Sequence, residues 1–259
     1  MDISRMNSKQ IAMLLASGDV TSELITEIKA DSRITVKRLA ARYLQQQDAA
    51  KKEKIRLEAM YEYERSFLAQ GCQMIAGVDE AGRGPLVGPV VTAAVILPPN
   101  LLIKGINDSK KLSAKQREEL FHIISEKALA ISYTEVSAAT IDRINIYQAT
   151  VAGMYESIKQ LTIAPEAVLI DAVPLNKLTV PSQSIIKGDA LSQAIAAASI
   201  IAKVTRDRLM DKLDEEYPQY GFARHKGYGT KEHLEAIKKY GPCPQHRQTF
   251  APIKFGGYS

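Results

Sequence analysis

The 259-residue chain contains no tryptophan and only two cysteines, Cys72 and Cys243. Two distant cysteines outside any Cys-x-x-Cys spacing exclude a disulfide framework and do not indicate a structural zinc site. No apolar run reaches the roughly 18 residues that a membrane-spanning helix needs. The N-terminus also lacks the basic-then-apolar pattern of a secretory signal. We therefore expect a cytoplasmic protein that does not associate with a membrane.

The excess of positive over negative charge is also small. Lys and Arg number 34 against 29 Asp and Glu, which makes the formal net charge +5. This excess is compatible with a nucleic-acid partner but does not require one. A hydrophobic fraction of 46% over this length supports one large core, or one core with a small appendage.

The residue pattern changes near position 70. Residues 1–70 carry apolar positions at helical spacing, and the strongly charged stretch 45–65 predicts an exposed helix. This helical N-terminal extension fits a substrate-gripping arm and a solvated spacer equally well. Residues 71–259 predict a second domain, a mixed α/β sheet covered by helices with a C-terminal helical segment. Its expected strands are 75–78, 90–97, 128–136, 167–171 and 184–187, and its expected helices are 141–161, 191–216 and 231–240.

An acidic pair followed by glycines is the most informative motif. Asp79 and Glu80 end the first predicted strand, and Ala81-Gly82-Arg83-Gly84-Pro85 follows. Two adjacent carboxylates at the end of a buried strand are costly to desolvate unless a cation neutralises them. Hard divalent cations prefer such oxygen ligands. The pair therefore predicts a metal site beside a stretch of nearly bare backbone, which together suggest phosphodiester chemistry.

Two further acids are expected to join this pair. Asp171 ends the predicted strand 167–171, and Asp189 lies just before the long predicted helix. Ends of adjacent strands lie about 5 Å apart, so these side chains would come together as a two-metal site requires. The alternatives are an ordinary strand-end residue for Asp171 and a charge at a helix N-terminus for Asp189.

The glycine-rich stretch does not fit a dinucleotide-binding loop. That motif leads from a strand into a helix, whereas Pro85, Pro89 and the β-branched run 90–97 follow here. Two interpretations remain, a plain hairpin connection and a backbone surface that contacts a sugar. A ribose 2′-hydroxyl both donates and accepts hydrogen bonds, so bare peptide groups can detect it.

Polar side chains on the last third of the chain suggest contacts with nucleic acid. Ser199, Lys203 and Arg206 recur at near-helical spacing and would line one helix face toward a phosphate backbone, or would simply be solvated. Tyr228 stands between two glycines, where it can stack on a sugar or base, or fill a surface groove. The four histidines share no metal-ligand spacing.

Four segments in order resemble the signature blocks of bacterial ribonuclease HII. They are GVDEAGRGP at 77–85, DSKKLS at 108–113, AAASIIAKVTRD at 196–207 and GYGT at 227–230. The resemblance covers residues 73–252 and implies a ribonuclease H-like fold, a mixed five-stranded sheet flanked by helices. It implies two-metal-ion hydrolysis of the RNA strand of RNA–DNA hybrids and incision at single ribonucleotides in duplex DNA. The products would carry 3′-hydroxyl and 5′-phosphate ends, the cofactor would be Mn²⁺ or Mg²⁺, and the enzyme would be a monomer.

The same resemblance assigns roles to individual residues. Those expected to bind metal and catalyse are Asp79, Glu80, Asp171 and Asp189, and those expected to bind substrate are Gly82, Arg83, Gly84, Ser199, Lys203, Arg206 and Tyr228. The glycine motif would contact the 2′-hydroxyl and the neighbouring phosphate, and Tyr228 would stack at the ribose–deoxyribose junction. The sister family, ribonuclease HIII, usually has threonine and an acidic residue where Arg83 and Pro85 stand, and a β-rich N-terminal domain. Both differences favour ribonuclease HII.

Three rival functions stay open. The first is a nuclease or recombinase of the same fold that acts on all-DNA duplexes. The second is a module that binds hybrids without cutting them, although bare carboxylates repel phosphates in the absence of a cation. The third is a structural or scaffolding role.

Overall fold

A computed structural model of the protein describes residues 3–17 and 20–256. The chain divides into two compact units, Met1–Arg56 and Leu57–Ser259. This division falls before the boundary near residue 70 that the sequence pattern predicted. The reason is that Leu57, Met60 and Phe67 are buried in hydrophobic clusters of the second unit, together with residues of its sheet.

The first unit is helical, as its apolar spacing predicted. After a 3₁₀ turn at Ile3–Arg5 it contains α1 (Ser8–Ser17), α2 (Ser22–Ala30) and most of α3 (Ile34–Ala59). Ile11, Ile28 and Val36 are fully buried in its small core. Within residues 3–17 and 20–256, we find no helix with the length and apolar character needed to cross a membrane.

The second unit is built on a five-stranded mixed sheet. Its strands are β1 (Ile75–Ala81), β2 (Val90–Ile96), β3 (Ala130–Val136), β4 (Ala167–Asp171) and β5 (Ser182–Ile185). The strand order is β3-β2-β1-β4-β5, with antiparallel pairs β1–β2 and β2–β3 and parallel pairs β1–β4 and β4–β5. The predicted mixed α/β sheet is thus confirmed, and β1 lies at its centre.

Helices cover both faces of this sheet. They are α4 (Glu62–Ala69), α5 (Ala114–Lys127), α6 (Ala138–Ile144), α7 (Ile146–Lys159), α8 (Gly188–Leu191), α9 (Gln193–Glu216), α10 (Phe222–His225) and α11 (Lys231–Tyr240). Because side chains alternate along a strand, Ala93 and Val95 pack with α9 on one face. Ala94 and Ile96 pack with α7 on the other.

Close contact between α9 and the central strand depends on one glycine. A Cβ on Gly77 would lie 2.0 Å from the carbonyl carbon of Ala194, so only glycine lets the first turn of α9 approach β1 this closely. The approach brings the polar residues of α9 near the carboxyl end of β1.

Several element boundaries differ from the sequence pattern by a few residues. The strand expected over 184–187 is found two residues earlier, at Ser182–Ile185, and the strand expected over 128–136 begins at Ala130. Two further differences have clear local reasons. The helix expected over 141–161 is divided at Asn145, whose φ of 68° ends α6 and whose side chain accepts a hydrogen bond from the Gln148 N–H at 3.0 Å to begin α7. The long helix begins at Gln193 rather than 191, because the Ser192 side chain caps it. The short α8 precedes it.

Candidate active site

The carboxyl ends of β1 and β4 bring three acidic residues to one edge of the sheet. The parallel register pairs Val78 with Ile170, so Asp79 and Asp171 come next on neighbouring strands. Asp79 is 3% exposed, and Glu80 follows it. The Asp171 Oδ1 accepts a hydrogen bond from the Gly188 N–H at 2.7 Å. This bond holds the start of α8 at the same edge.

The fourth predicted acid also lies at this edge. Asp189, in the first turn of α8, is 5% exposed. Its pKa is raised to about 6, first by burial and then by the charges of Asp108 and Asp171. The structure therefore brings Asp189 into the electrostatic field of Asp171, as the sequence pattern predicted for a joint site.

Burial and mutual repulsion destabilise the ionised form of the acidic pair. The pKa of Asp79 is well above its usual range, first because the side chain is desolvated and then because Glu80 and Asp171 carry like charge. Burial raises the pKa of Glu80; the nearby Arg83 opposes this rise, whereas Asp171 adds to it. Within the part of the chain that the structure describes, the Glu80 Oε2 is buried without a hydrogen-bond partner. Such a carboxylate group requires positive charge to remain ionised.

Two cationic side chains reach this acidic cluster. The Lys110 Nζ lies 4.0 Å from the Asp189 Oδ2, and its side chain is 81% exposed. The Arg83 Nη1 lies 3.5 Å from the Glu80 Oε1, with the Arg83 side chain 41% exposed. Both contacts are long and solvated, so they neutralise the acids only weakly. The sequence pattern placed Lys110 in a signature block but not in the site. The feature that could have indicated its place in the site is the polar, lysine-rich loop that contains it.

A hydroxyl pair connects α9 with the acidic cluster. Ser199 is 3% exposed, its Oγ lies 2.9 Å from the Ser109 Oγ, and its hydrogen bond to Asp79 opposes the rise in that residue's pKa. Ser199 therefore supports Asp79 from within the protein. This placement does not fit the predicted phosphate contact, because its hydroxyl is enclosed.

The two basic residues predicted on the same helix face differ in placement. The Lys203 Nζ forms an ion pair with the Asp207 Oδ1 at 2.7 Å. Arg206 is 1% exposed and donates hydrogen bonds to the main-chain oxygens of Pro89, Lys226 and Val87. A phosphate contact by Arg206 was therefore a wrong expectation: the guanidinium is enclosed and holds backbone instead.

The glycine loop, residues 82–88, lies against the loop that carries Tyr228. Gly82 has a φ of +96°, and a Cβ there would lie 1.9 Å from the Arg206 Nε. A Cβ on Gly84 would lie 3.6 Å from the Tyr228 Cε1, so the ring edge borders the space that this glycine leaves. Tyr228 is 47% exposed. The Leu86 N–H donates to the Gly227 oxygen at 2.8 Å and joins the two loops.

The sheet order, the helices on both faces and the acids at the ends of its central parallel strands define a protein of ribonuclease H-like fold. Comparison with known proteins agrees with this class. The family model described as Ribonuclease HII matches residues 76–255, and the model described as Ribonuclease HII N-terminal domain matches residues 9–68.

Relatives and solved structures place the chain within one family. Ribonuclease HII of Geobacillus sp. (strain WCH70) is 49% identical over 253 residues, covering 97% of this chain and 91% of its own. The crystal structure of ribonuclease H2 from Pyrococcus horikoshii OT3 is 30% identical with a TM-score of 0.61, covering 70% of this chain and 95% of that one. The crystal structure of Bst-RNase HIII in complex with Mn²⁺ shares the fold at 20% identity and a TM-score of 0.53, covering 70% and 68%.

The chain belongs to the ribonuclease HII family. It is accordingly a metal-dependent endoribonuclease of a family that cleaves RNA in RNA–DNA hybrids.

Proposed function

We propose that this protein cleaves the RNA strand of RNA–DNA hybrids and also incises duplex DNA at single embedded ribonucleotides, leaving 3′-hydroxyl and 5′-phosphate ends. One observation carries the proposal. A loop of nearly bare backbone, bordered by the exposed ring of Tyr228, begins directly after β1, the strand that carries the acidic pair. A sugar seated in that space would place its phosphate beside the carboxylates.

The metal chemistry of the proposal rests on the acidic cluster. Asp79, Glu80, Asp171 and Asp189 would hold two divalent ions, Mn²⁺ or Mg²⁺. All four offer oxygen donors, which these hard ions prefer. The unpartnered Glu80 Oε2 and the raised pKa of Asp79 and of Asp189 support this use. Bound ions of this kind activate the attacking water and stabilise the departing 3′ oxygen.

The four acidic side chains do not by themselves form a complete set of metal ligands. Among residues 3–17 and 20–256, no three His, Cys, Asp or Glu side chains stand where they could hold a metal ion by themselves. Carboxylates of like charge move apart when no cation lies between them. Ion binding would therefore require small side-chain rotations together with water or substrate-phosphate oxygens as further ligands, so metal and substrate should bind cooperatively.

The remaining residues of the site would recognise the substrate. The peptide groups of Gly82, Arg83 and Gly84 would contact the 2′-hydroxyl, and the half-exposed Arg83 guanidinium would reach the adjacent phosphate. Tyr228 would stack against the sugar at the junction. Ser199 would hold Asp79 in place. A phosphate contact by Lys203 requires its ion pair with Asp207 to open. Separately, we expect the enzyme to act as a monomer.

Incubation with end-labelled duplexes tests this proposal. The substrates are a full RNA–DNA hybrid, a DNA duplex with one ribonucleotide, and the same duplex in all-DNA form, each with Mn²⁺, Mg²⁺ or EDTA. We expect metal-dependent cutting of the first two, with a nick that DNA polymerase extends without end repair. Equal cutting of the all-DNA duplex would support a general nuclease instead. Tight binding without any product would support a hybrid-binding module.

A further inference from the structure

A second fully buried arginine contacts the glycine loop from inside. Arg247 is 0% exposed and lies in the segment that follows α11. Its Nη1 donates to the Arg83 oxygen at 2.9 Å, and its Nη2 donates to the Gly82 oxygen at 2.6 Å. Its Nε and Nη2 both donate to the Gly88 oxygen, at 3.0 and 2.9 Å. One guanidinium thus spans both ends of the loop.

Enclosing this charge is costly. The pKa of Arg247 is lowered to about 9, first by burial and then by the like charge of Arg206. The carbonyl oxygens offset this cost by accepting hydrogen bonds from the guanidinium. These bonds also satisfy carbonyl groups that would otherwise be buried without this donor. An apolar side chain of similar size would leave the oxygens of Gly82, Arg83 and Gly88 without this donor. The arginine is therefore suited to holding this particular backbone conformation.

The direction of the carbonyl groups determines where the amide groups point. In a planar trans peptide, the C=O of one residue and the N–H of the next point in opposite directions. The Gly82 and Arg83 oxygens both point toward Arg247. The N–H groups of Arg83 and Gly84 therefore point away from Arg247. The guanidinium orients two consecutive backbone donors at the bare part of the loop.

We propose that Arg247 is the positioning residue that aims the N–H groups of Arg83 and Gly84 at the ribose 2′-hydroxyl and its phosphate. This inference rests on the proposed function, because it assumes that the glycine loop receives a ribose. Arg206 holds neighbouring oxygens, those of Val87, Pro89 and Lys226, but neither of the two carbonyls that orient these donors. Arg247 itself does not contact the substrate.

The substitution Arg247→Lys tests the inference through the dependence of the rate on the 2′ group. A lysine presents one ammonium where the guanidinium spans three carbonyls, so the loop amides lose their fixed direction. The measurement is kcat/KM on a duplex with one ribonucleotide and on the same duplex with a 2′-fluoro nucleotide. We expect the ratio of the two values to fall at least 10-fold relative to the unsubstituted enzyme. An enzyme that is merely less stable would lose both rates together and keep the ratio.

A matched control separates this effect from the general loss of an arginine. The Arg208 guanidinium lies 4.4 Å from the centre of the Phe121 ring, much as that of Arg247 lies 5.0 Å from the centre of the Phe250 ring, but the Arg208 side chain is 47% exposed. Arg208→Lys should leave the ratio unchanged. If Arg247→Lys does not fold, Phe250→Leu loosens the packing of the guanidinium while its donors remain, and the ratio should fall by a smaller factor.

The outcomes distinguish this inference from the function on which it rests. A ratio near one in the unsubstituted enzyme would overturn the proposed recognition of the 2′-hydroxyl, and the inference with it. A large ratio that survives both Arg247→Lys and Phe250→Leu would overturn only the positioning role. A reduced ratio in Arg247→Lys together with an unchanged ratio in Arg208→Lys would support it.

Discussion

Replacing Asp79 with asparagine should make the metal-free protein more stable while it abolishes cleavage. Asp79 is 3% exposed, and burial together with the charges of Glu80 and Asp171 makes its ionised form unfavourable. Asparagine has nearly the same shape and keeps an oxygen that can accept the Glu80 N–H, which donates to the Asp79 Oδ1 at 2.7 Å. The substitution removes the charge and little else.

The size of the gain follows from the cost of an uncompensated buried charge. Relieving it is worth about 1–3 kcal/mol, the range for a buried polar group without adequate partners. In a unit of this size, 1 kcal/mol shifts Tm by about 2–4 °C, so the variant should melt roughly 2–12 °C higher in EDTA. Cleavage should fall on the order of 10³-fold or more, as when a group that acts on the transition state is removed.

The stability that Asp79→Asn gains over the unsubstituted protein should increase with pH. A carboxyl whose pKa is raised by folding costs no stability at low pH, where it is protonated, and destabilises the fold as pH rises through its folded pKa. The advantage of Asp79→Asn should therefore be small near pH 4 and grow toward pH 8. Added Mn²⁺ should raise the Tm of the unsubstituted protein and narrow the difference.

Thermal melts in EDTA and in Mn²⁺ across this pH range measure the effect, beside cleavage of a hybrid. Asp48→Asn is the control, because the Asp48 side chain is 61% exposed and pairs with Lys52 on the same helix. Its Tm should not change beyond about 1 °C. A lower Tm for Asp79→Asn in EDTA at pH 8 would refute the reasoning. An equal rise of Tm on addition of Mn²⁺ in Asp79→Asn and in the unsubstituted protein would also refute it.

Three further predictions concern the loops and the buried histidines. Gly84→Ala should change Tm by no more than about 2 °C but slow single-ribonucleotide cleavage at least 10-fold in steady-state assays. Gly82→Ala, by contrast, should lower Tm by about 5 °C or more, because the new Cβ would meet Arg206 and the φ of Gly82 is +96°. Tyr228→Ala should lower kcat/KM at the junction about 10- to 100-fold, from lost stacking of about 1–3 kcal/mol, and an unchanged ribose preference would contradict its role. Burial lowers the pKa of His233 and of His246 to about 4, so both residues destabilise the fold as pH falls from about 6.5 toward 4. The urea midpoints at pH 4.5 and 7.5 should therefore differ less in His246→Gln than in the unsubstituted protein. An equal difference in the two proteins would refute this prediction.

Local sequence pattern was sufficient to predict the carboxylate edge. Asp79 and Asp171 each end a short apolar β-branched run, and two such runs read as neighbouring buried strands. The register of β1 with β4 confirms that they are neighbours. Glycine spacing and the display of Tyr228 between glycines were likewise visible, because conformational freedom at glycine and exposure at a turn are local properties. The metal-binding roles of these acids stay a prediction.

Other features depended on long-range contacts. Nothing local distinguishes Arg206 from a solvated helix residue, yet it donates to the oxygens of Pro89 and Val87, more than a hundred positions away. Arg247 has no motif that marks it, and its carbonyl partners lie even further along the chain. The division at Asn145 also went unpredicted, since the apolar spacing continues across it.

The amino-acid order by itself determined which acids, glycines and aromatic ring are candidates for the site, since strand ends, turns and chelating side-chain types are encoded over a few neighbouring positions. Their chemical roles stay a prediction. Only the tertiary structure decided which cations remain available to a polyanion. Whether a long charged side chain stays in water or turns inward depends on carbonyl groups brought to it by distant segments. For Arg206 and Arg247, those carbonyl groups belong to the backbone of the glycine loop and its neighbours.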